Sequence, residues 1–193
     1  MRNSIKSFIG SGVCLAAMLA GTAAQAATSP NDWYVGLSGD LTWLSHSDTG
    51  GGGNVDLGAR FWPSNFGDFR IEGEAGYHGA GGKNGYGSTH YFTYIGNLYY
   101  DFNTVFASSN SGWHVVPYIG GGMGDAALSA GHSSFSDTFH HHENTFAYQG
   151  MAGLTFVASS MPNTDWSIGY RYLGTDNNDP HANNLELGVR FHF

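Results

Sequence analysis

Along most of the chain, bulky apolar residues alternate with small or polar ones, and a period of two is the spacing of side chains on a β-strand. The stretch Asn183 to Phe193 shows it without a break: Leu185, Leu187, Val189, Phe191 and Phe193 fall on one face, Glu186, Gly188, Arg190 and His192 on the other. Seven earlier segments read the same way: Trp33 to Leu44, Asn54 to Trp62, Asp68 to His78, Thr89 to Phe102, Trp113 to Leu128, Asn144 to Val157 and Asp165 to Gly174. Two irregularities stand out. Ile95 is off the pattern of the fourth segment, and Pro117 with Gly120-Gly121-Gly122 leaves the parity of the fifth open. Turn-rich pieces separate the segments: Gly50 to Gly53, Pro63-Ser64-Asn65, Gly79 to Ser88, Asn103 to Gly112, Ser129 to Glu143, Ser159 to Thr164 and Thr175 to Ala182. After the first residues, no 3.6-residue helical pattern occurs.

Eight such strands are as long as a tilted strand needs to be to cross a bilayer, roughly 9 to 11 residues. A chain that ends on an apolar strand invites edge pairing, and closure of the last strand onto the first removes the edge. The predicted fold is therefore all-β: an eight-stranded antiparallel up-and-down transmembrane β-barrel. Volume decides which face points outward. An eight-stranded barrel is only wide enough inside to be filled by side chains, and the faces rich in Trp, Tyr, Phe and Leu are too bulky for it. The greasy faces are expected outside, against lipid. Trp33, Phe61, Trp62, Phe69, Tyr100, Phe102, Trp113, Phe156, Trp166, Phe191 and Phe193 then gather at one end of the strands. Trp43, Tyr77, Phe92, Phe146 and Tyr172 gather at the other, giving two aromatic girdles.

Composition agrees. Glycine supplies 30 of 193 residues, over twice the usual share of roughly 7%. Charged residues are 11%, against roughly 25% ordinarily. Arg2 and Lys6, the apolar run Phe8 to Ala20 and the small residues around Ala24-Gln25-Ala26 read as a secretory signal peptide over residues 1–26, leaving one domain, 27–193. Cys14, the only cysteine, lies in that leader, so the exported chain is expected to carry no disulfide. What remains has five basic residues (Arg60, Arg70, Lys83, Arg171, Arg190) and fifteen acidic ones, a balance that argues against nucleic acid as a partner.

The final residues, Glu186 to Phe193, resemble the C-terminal assembly signal of bacterial outer-membrane barrels: a polar residue, any, Gly, any, any, an apolar residue, any, an aromatic. Glu186, Gly188, Phe191 and Phe193 hold its positions. With the leader, the strand count, Tyr34-Val35-Gly36-Leu37 and Pro117-Tyr118-Ile119-Gly120, the chain resembles the eight-stranded, porin-like outer-membrane barrels that include opacity-type surface proteins of Gram-negative bacteria. The resemblance implies an outer-membrane location, contact with membrane lipids and the barrel-assembly machinery, and a role as surface antigen, adhesin, anchor or narrow pore. It brings no catalytic motif.

Three sets of residues are candidates for chemistry. Parity places Asp40, Asp56, Arg60, Arg70, Glu72, Glu74, Asp101, Arg171, Glu186 and Arg190 inside the barrel. Buried charges must be paired, so a salt-bridge network plugging the lumen is expected, a gated narrow channel being the sharper reading. His132 and the tract His140-His141-His142-Glu143 lie in the longest loop, with His46, His78, His90 and His181 near the same end; His-rich tracts can take metal. His46-Ser47 and His132-Ser133 put a base beside a hydroxyl, but neighbours on a strand point to opposite faces, so adjacency makes no dyad. The reading is a non-enzymatic, cofactor-free surface protein, structural or meeting a host or environmental ligand through its extracellular loops. A narrow channel for small solutes or ions is the alternative, and a soluble lipocalin-like carrier ranks third.

Overall fold

The computed structural model describes residues 32–44, 49–61, 66–81, 88–102, 112–130, 144–176 and 181–193. They form eight strands: β1 (Asp32–Leu44), β2 (Gly50–Phe61), β3 (Gly67–Gly81), β4 (Ser88–Phe102), β5 (Trp113–Ala130), β6 (Asn144–Ala158), β7 (Thr164–Thr175) and β8 (Ala182–His192). Each strand pairs antiparallel with the next, and β8 pairs with β1, closing the barrel. Just past β8, the Phe193 amide donates to the Trp33 carbonyl at 2.9 Å, so the final residue belongs to the seam. The longest gap between strands, 131–143, lies at the end away from the termini. Barrels of this type carry short turns on the periplasmic side and longer loops outside.

Alternation sets which face each residue takes. Trp33, Leu41 and Trp43 are exposed on the outer wall, while Tyr34, Asp40 and Thr42 are buried inside. The outer wall keeps large apolar side chains exposed on every strand, including Leu57, Ile71, Leu98, Ile119, Leu154, Ile168 and Leu187. The interior is less uniformly small and polar than expected. Tyr34, Tyr91, Tyr99 and Tyr118 are buried there with Ile95, Met151 and Leu173. Glycines make the room: a Cβ on Gly58 would collide with Tyr34, one on Gly120 with Tyr99, and one on Gly153 or Gly169 with Tyr118. Part of the high glycine content thus supplies volume that bulky interior residues occupy.

One expectation is corrected, one open parity is decided and one irregularity is explained. Gly50 to Gly53 is not a loop: these residues open β2, with Gly51 opposite Leu41 on one side and Gly79 on the other. Glycines carry no side chain, so a strand built of them shows no alternation. The fifth segment is the longest strand and has a definite parity, Tyr118 inward and Ile119 and Met123 outward. Pairing with β4 ends at Tyr118, so Pro117 sits where β5 is bonded on one side only, a place that tolerates a missing N–H. Ile95 is off pattern because it faces inward, against Tyr91 and Ala126 in a small apolar layer.

Candidate functional site

The ten charges expected inside all occupy inward positions, and strand register alone would set them badly. Asp40 lies opposite Glu186, Asp56 opposite Glu74, Arg60 opposite Arg70 and Asp68 opposite Asp101. Like charges directly opposite destabilise a sheet. The side chains instead find partners along the strand, diagonally or across the lumen. Arg70 is the hub near the periplasmic end. Its Nε donates to Asp101 Oδ2 at 2.5 Å, its Nη2 to Asp101 Oδ1 at 3.1 Å and its Nη1 to Glu72 Oε1 at 2.6 Å. The Tyr34 hydroxyl donates to the same Glu72 oxygen at 2.7 Å. The guanidinium lies 4.4 Å from the Tyr99 ring centre and 5.6 Å from that of Tyr118, so aromatic faces cover the charge where carboxylates do not.

Arg171 closes the middle. It reaches from β7 across the lumen to Glu74 on β3 (2.5 Å) and diagonally to Glu186 on β8 (2.7 Å). Arg171 Nη1 also donates to Gln149 Oε1 at 3.3 Å, Gln149 Nε2 to Asn97 Oδ1 at 2.7 Å, and Asn97 Nδ2 to Glu74 Oε2 at 3.1 Å. Glu74, Arg171, Gln149 and Asn97 thus form a closed ring of hydrogen bonds, drawn from β3, β7, β6 and β4. Below it lies a cavity of about 30 Å³ bordered by Asp56, Glu72, Glu186 and Arg190, enough for one or two waters. Among the described residues Asp56 Oδ1 has no hydrogen-bond partner.

Two clusters close the ends, and sequence reasoning missed their central members. At the periplasmic end, Asp165 accepts from His192 Nε2 at 2.8 Å and lies 3.6 Å from Arg60 and 3.9 Å from Arg190, which itself donates to Thr155 Oγ1 at 2.7 Å. Parity could have found Asp165, since it shares a face with Arg171 and stands opposite Arg190. Toward the extracellular end, His78 is a buried interior residue and not part of a loop set: its Nδ1 lies 3.0 Å from Asp40 Oδ2, and its ring stacks on Tyr91 at 4.7 Å. Thr42 Oγ1 donates to the other Asp40 oxygen at 2.7 Å.

The remaining candidates separate. In the terminal motif Glu186 is bound to Arg171, Gly188 faces inward beside Ser167, and Phe191 and Phe193 lie on the outer wall. His132, His140, His141, His142 and Glu143 lie outside the described residues, as do His46-Ser47 and His132-Ser133. Among the described residues no group of His, Cys, Asp or Glu is placed to hold a metal ion.

A closed eight-stranded barrel, apolar outside between two aromatic rows and filled by ion pairs inside, defines the class of integral outer-membrane barrel. The sequence matches the family described as outer membrane protein beta-barrel domain over residues 12–193, and the chain belongs to that family. No curated protein sequence matches it. Among solved structures it is similar to Neisserial surface protein A (NspA), at 20% identity with a TM-score of 0.60, covering 86% of this chain and 98% of that one. It is also similar to the outer membrane enzyme PagL, at 15% identity with a TM-score of 0.48, over 81% of this chain and 98% of that one. The attachment invasion locus protein Ail of Yersinia pestis follows, at 17% identity with a TM-score of 0.44, over 84% of this chain and 97% of that one. These similarities are of fold.

Proposed function

We propose that this chain is an exported, non-catalytic surface protein whose barrel is an anchor and whose extracellular loops meet a host or environmental surface. The observation that carries the reading is the lumen: the Arg70 cage, the Arg171 ring and the clusters at both ends fill it with paired side chains, so the wall and the loops are the surfaces left for partners. Residues 1–26 serve as the leader for export. Along the wall the partners are membrane lipids, and during biogenesis the assembly machinery reads Glu186, Gly188, Phe191 and Phe193. The acidic balance disfavours polyanions, so the surface ligand is expected to be neutral or cationic. The His-rich tract of 131–143 is the segment to test for metal.

The test displays the full chain on a bacterium lacking its own adhesins and replaces 131–143 by a short Gly-Ser turn. Loop replacement leaves the barrel folded, because exposed loops tolerate such changes. Adhesion to epithelial cells or matrix-coated plates is expected to fall toward that of cells without the protein. Adhesion that never exceeds that control, or that persists when all the loops are shortened, contradicts the reading. The second reading, a narrow channel, rests on the cavity beside Asp56.

A further inference from the structure

Depth on the outer wall follows from register. Stepping from partner to partner once around the barrel leads from Tyr34 on β1 back to Leu44 on the same strand, a climb of ten residues over eight strands. Corrected for that climb, Gly73 on β3, Gly96 on β4, Gly121 on β5 and Gly150 on β6 lie at one level, midway between the two aromatic rows, and all are exposed on the outer wall. Gly73 pairs directly with Gly96, and Gly121 with Gly150. At the same level on the far side of the barrel stand Tyr170 on β7 and Leu185 and Leu187 on β8, 49%, 40% and 62% exposed. The wall therefore has a waist on one side and a ridge on the other. In the waist lies a groove of about 710 Å³, bordered by Val55, Leu57, Gly73, Ala75, Gly96 and Met123. The ridge is braced, since the Tyr170 hydroxyl donates to Asn183 Oδ1 at 2.5 Å. Polar groups divide the same two faces. Asp125 is exposed above the groove, opposite Tyr94 on β4 and Phe146 on β6, where no cation adjoins it. His181 is exposed above the ridge, just before β8 and at about the level of Asp125.

The geometry points to a docking surface for a second copy of this chain, which lays its β7–β8 ridge into the groove and sets its His181 against Asp125. In lipid no hydrophobic drive joins two apolar surfaces, so close packing and polar pairing decide which of them associate, and small residues let backbones approach. The row of glycines runs around the wall, while acyl chains stand along the bilayer normal. A lipid chain crosses the groove and leaves contacts unmade on its floor, whereas a ridge at the same depth fills it. Barrels in one membrane share one orientation, which keeps the groove of one copy level with the ridge of the next. A two-fold dimer would set groove against groove. The contact is therefore heterologous, and with its two faces on nearly opposite sides of the barrel it builds rows. The carboxylate facing an imidazole fixes the register of the contact, as complementary charges do across interfaces.

The test is disulfide trapping of the full chain in the outer membrane of an expressing bacterium, with Cys14→Ser as background and copper phenanthroline as oxidant. Gly96→Cys marks the groove floor and Leu187→Cys the ridge. A Cβ at Gly96 meets only the Met123 carbonyl, at 3.9 Å, so the barrel has room for it. With the two variants co-expressed and one of them epitope-tagged, the groove-to-ridge heterodimer is expected at roughly tenfold the yield of either homodimer. Gly73→Leu, at a position where a Cβ meets nothing within 4 Å, fills the groove and should bring the heterodimer down to the homodimer level. Asp125→Lys sets a cation against His181, at a depth where lysine costs the barrel little, and should do the same. Folding of each variant is checked by its mobility on an unheated gel. A heterodimer no more abundant than the homodimers means that lipid fills the groove, and a dominant Gly96→Cys homodimer means a two-fold contact. Either result, or a heterodimer that persists in both Gly73→Leu and Asp125→Lys, would overturn the proposal.

Discussion

Arg171→Ala is expected to cost the barrel about 3–5 kcal/mol, the usual penalty for removing one partner of a buried ion pair. The loss leaves Glu74 and Glu186 facing the same space without their cation and opens the ring through Gln149 and Asn97. The change is read as a lower urea midpoint for barrels folded in phospholipid vesicles, at unchanged slope. Adding Glu74→Gln and Glu186→Gln should recover much of the loss, because neutral partners need no counter-ion; a general packing defect at position 171 would not be repaired this way. A loss below about 1 kcal/mol, the range of exposed ion pairs, would mean that water and not the protein neutralises these groups.

Leu187→Arg tests the other face. Leu187 is 62% exposed on the outer wall of β8, between Ile168 on β7 and Gly39 on β1. It lies well inside the two aromatic rows, where arginine facing hydrocarbon costs about 2–4 kcal/mol, falling to about 0–1 kcal/mol near an interface. Asn183→Arg, at the extracellular row, should therefore be nearly neutral. A harmless Leu187→Arg would put water against the wall and favour a soluble carrier.

Much of this architecture is legible from alternation, because a barrel closed on itself has one inside and one outside and every strand must respect both. Trp33, Leu41 and Trp43 against Asp40 and Thr42 already give β1 its two faces. What alternation hides is volume. Tyr34, Tyr91, Tyr99 and Tyr118 sit at inward parity, yet an argument from bulk sends aromatics outward. Their place depends on glycines of other strands, Gly58, Gly120, Gly153 and Gly169, and that pairing exists only once register is known. Gly50 to Gly53 is hidden for the opposite reason, a strand without side chains to alternate.

Charge was legible as location and not as partnership. The interior position of Arg171 follows from its neighbours Tyr170 and Tyr172, but its contact with Glu74 joins residues 97 apart in sequence. Asp165 is missed because it stands at the very start of the seventh alternating segment, beside a turn, and His78 is misread because it lies next to a glycine-rich turn.

The measurement that tests the account most directly is single-channel conductance of the refolded barrel in a planar bilayer. A lumen closed by the Arg70 cage and the Arg171 ring predicts a silent membrane in which folded protein is verified by its gel mobility. Reproducible discrete openings would contradict it, and would make Asp56, Glu74 and Arg171 the lining of a conducting path.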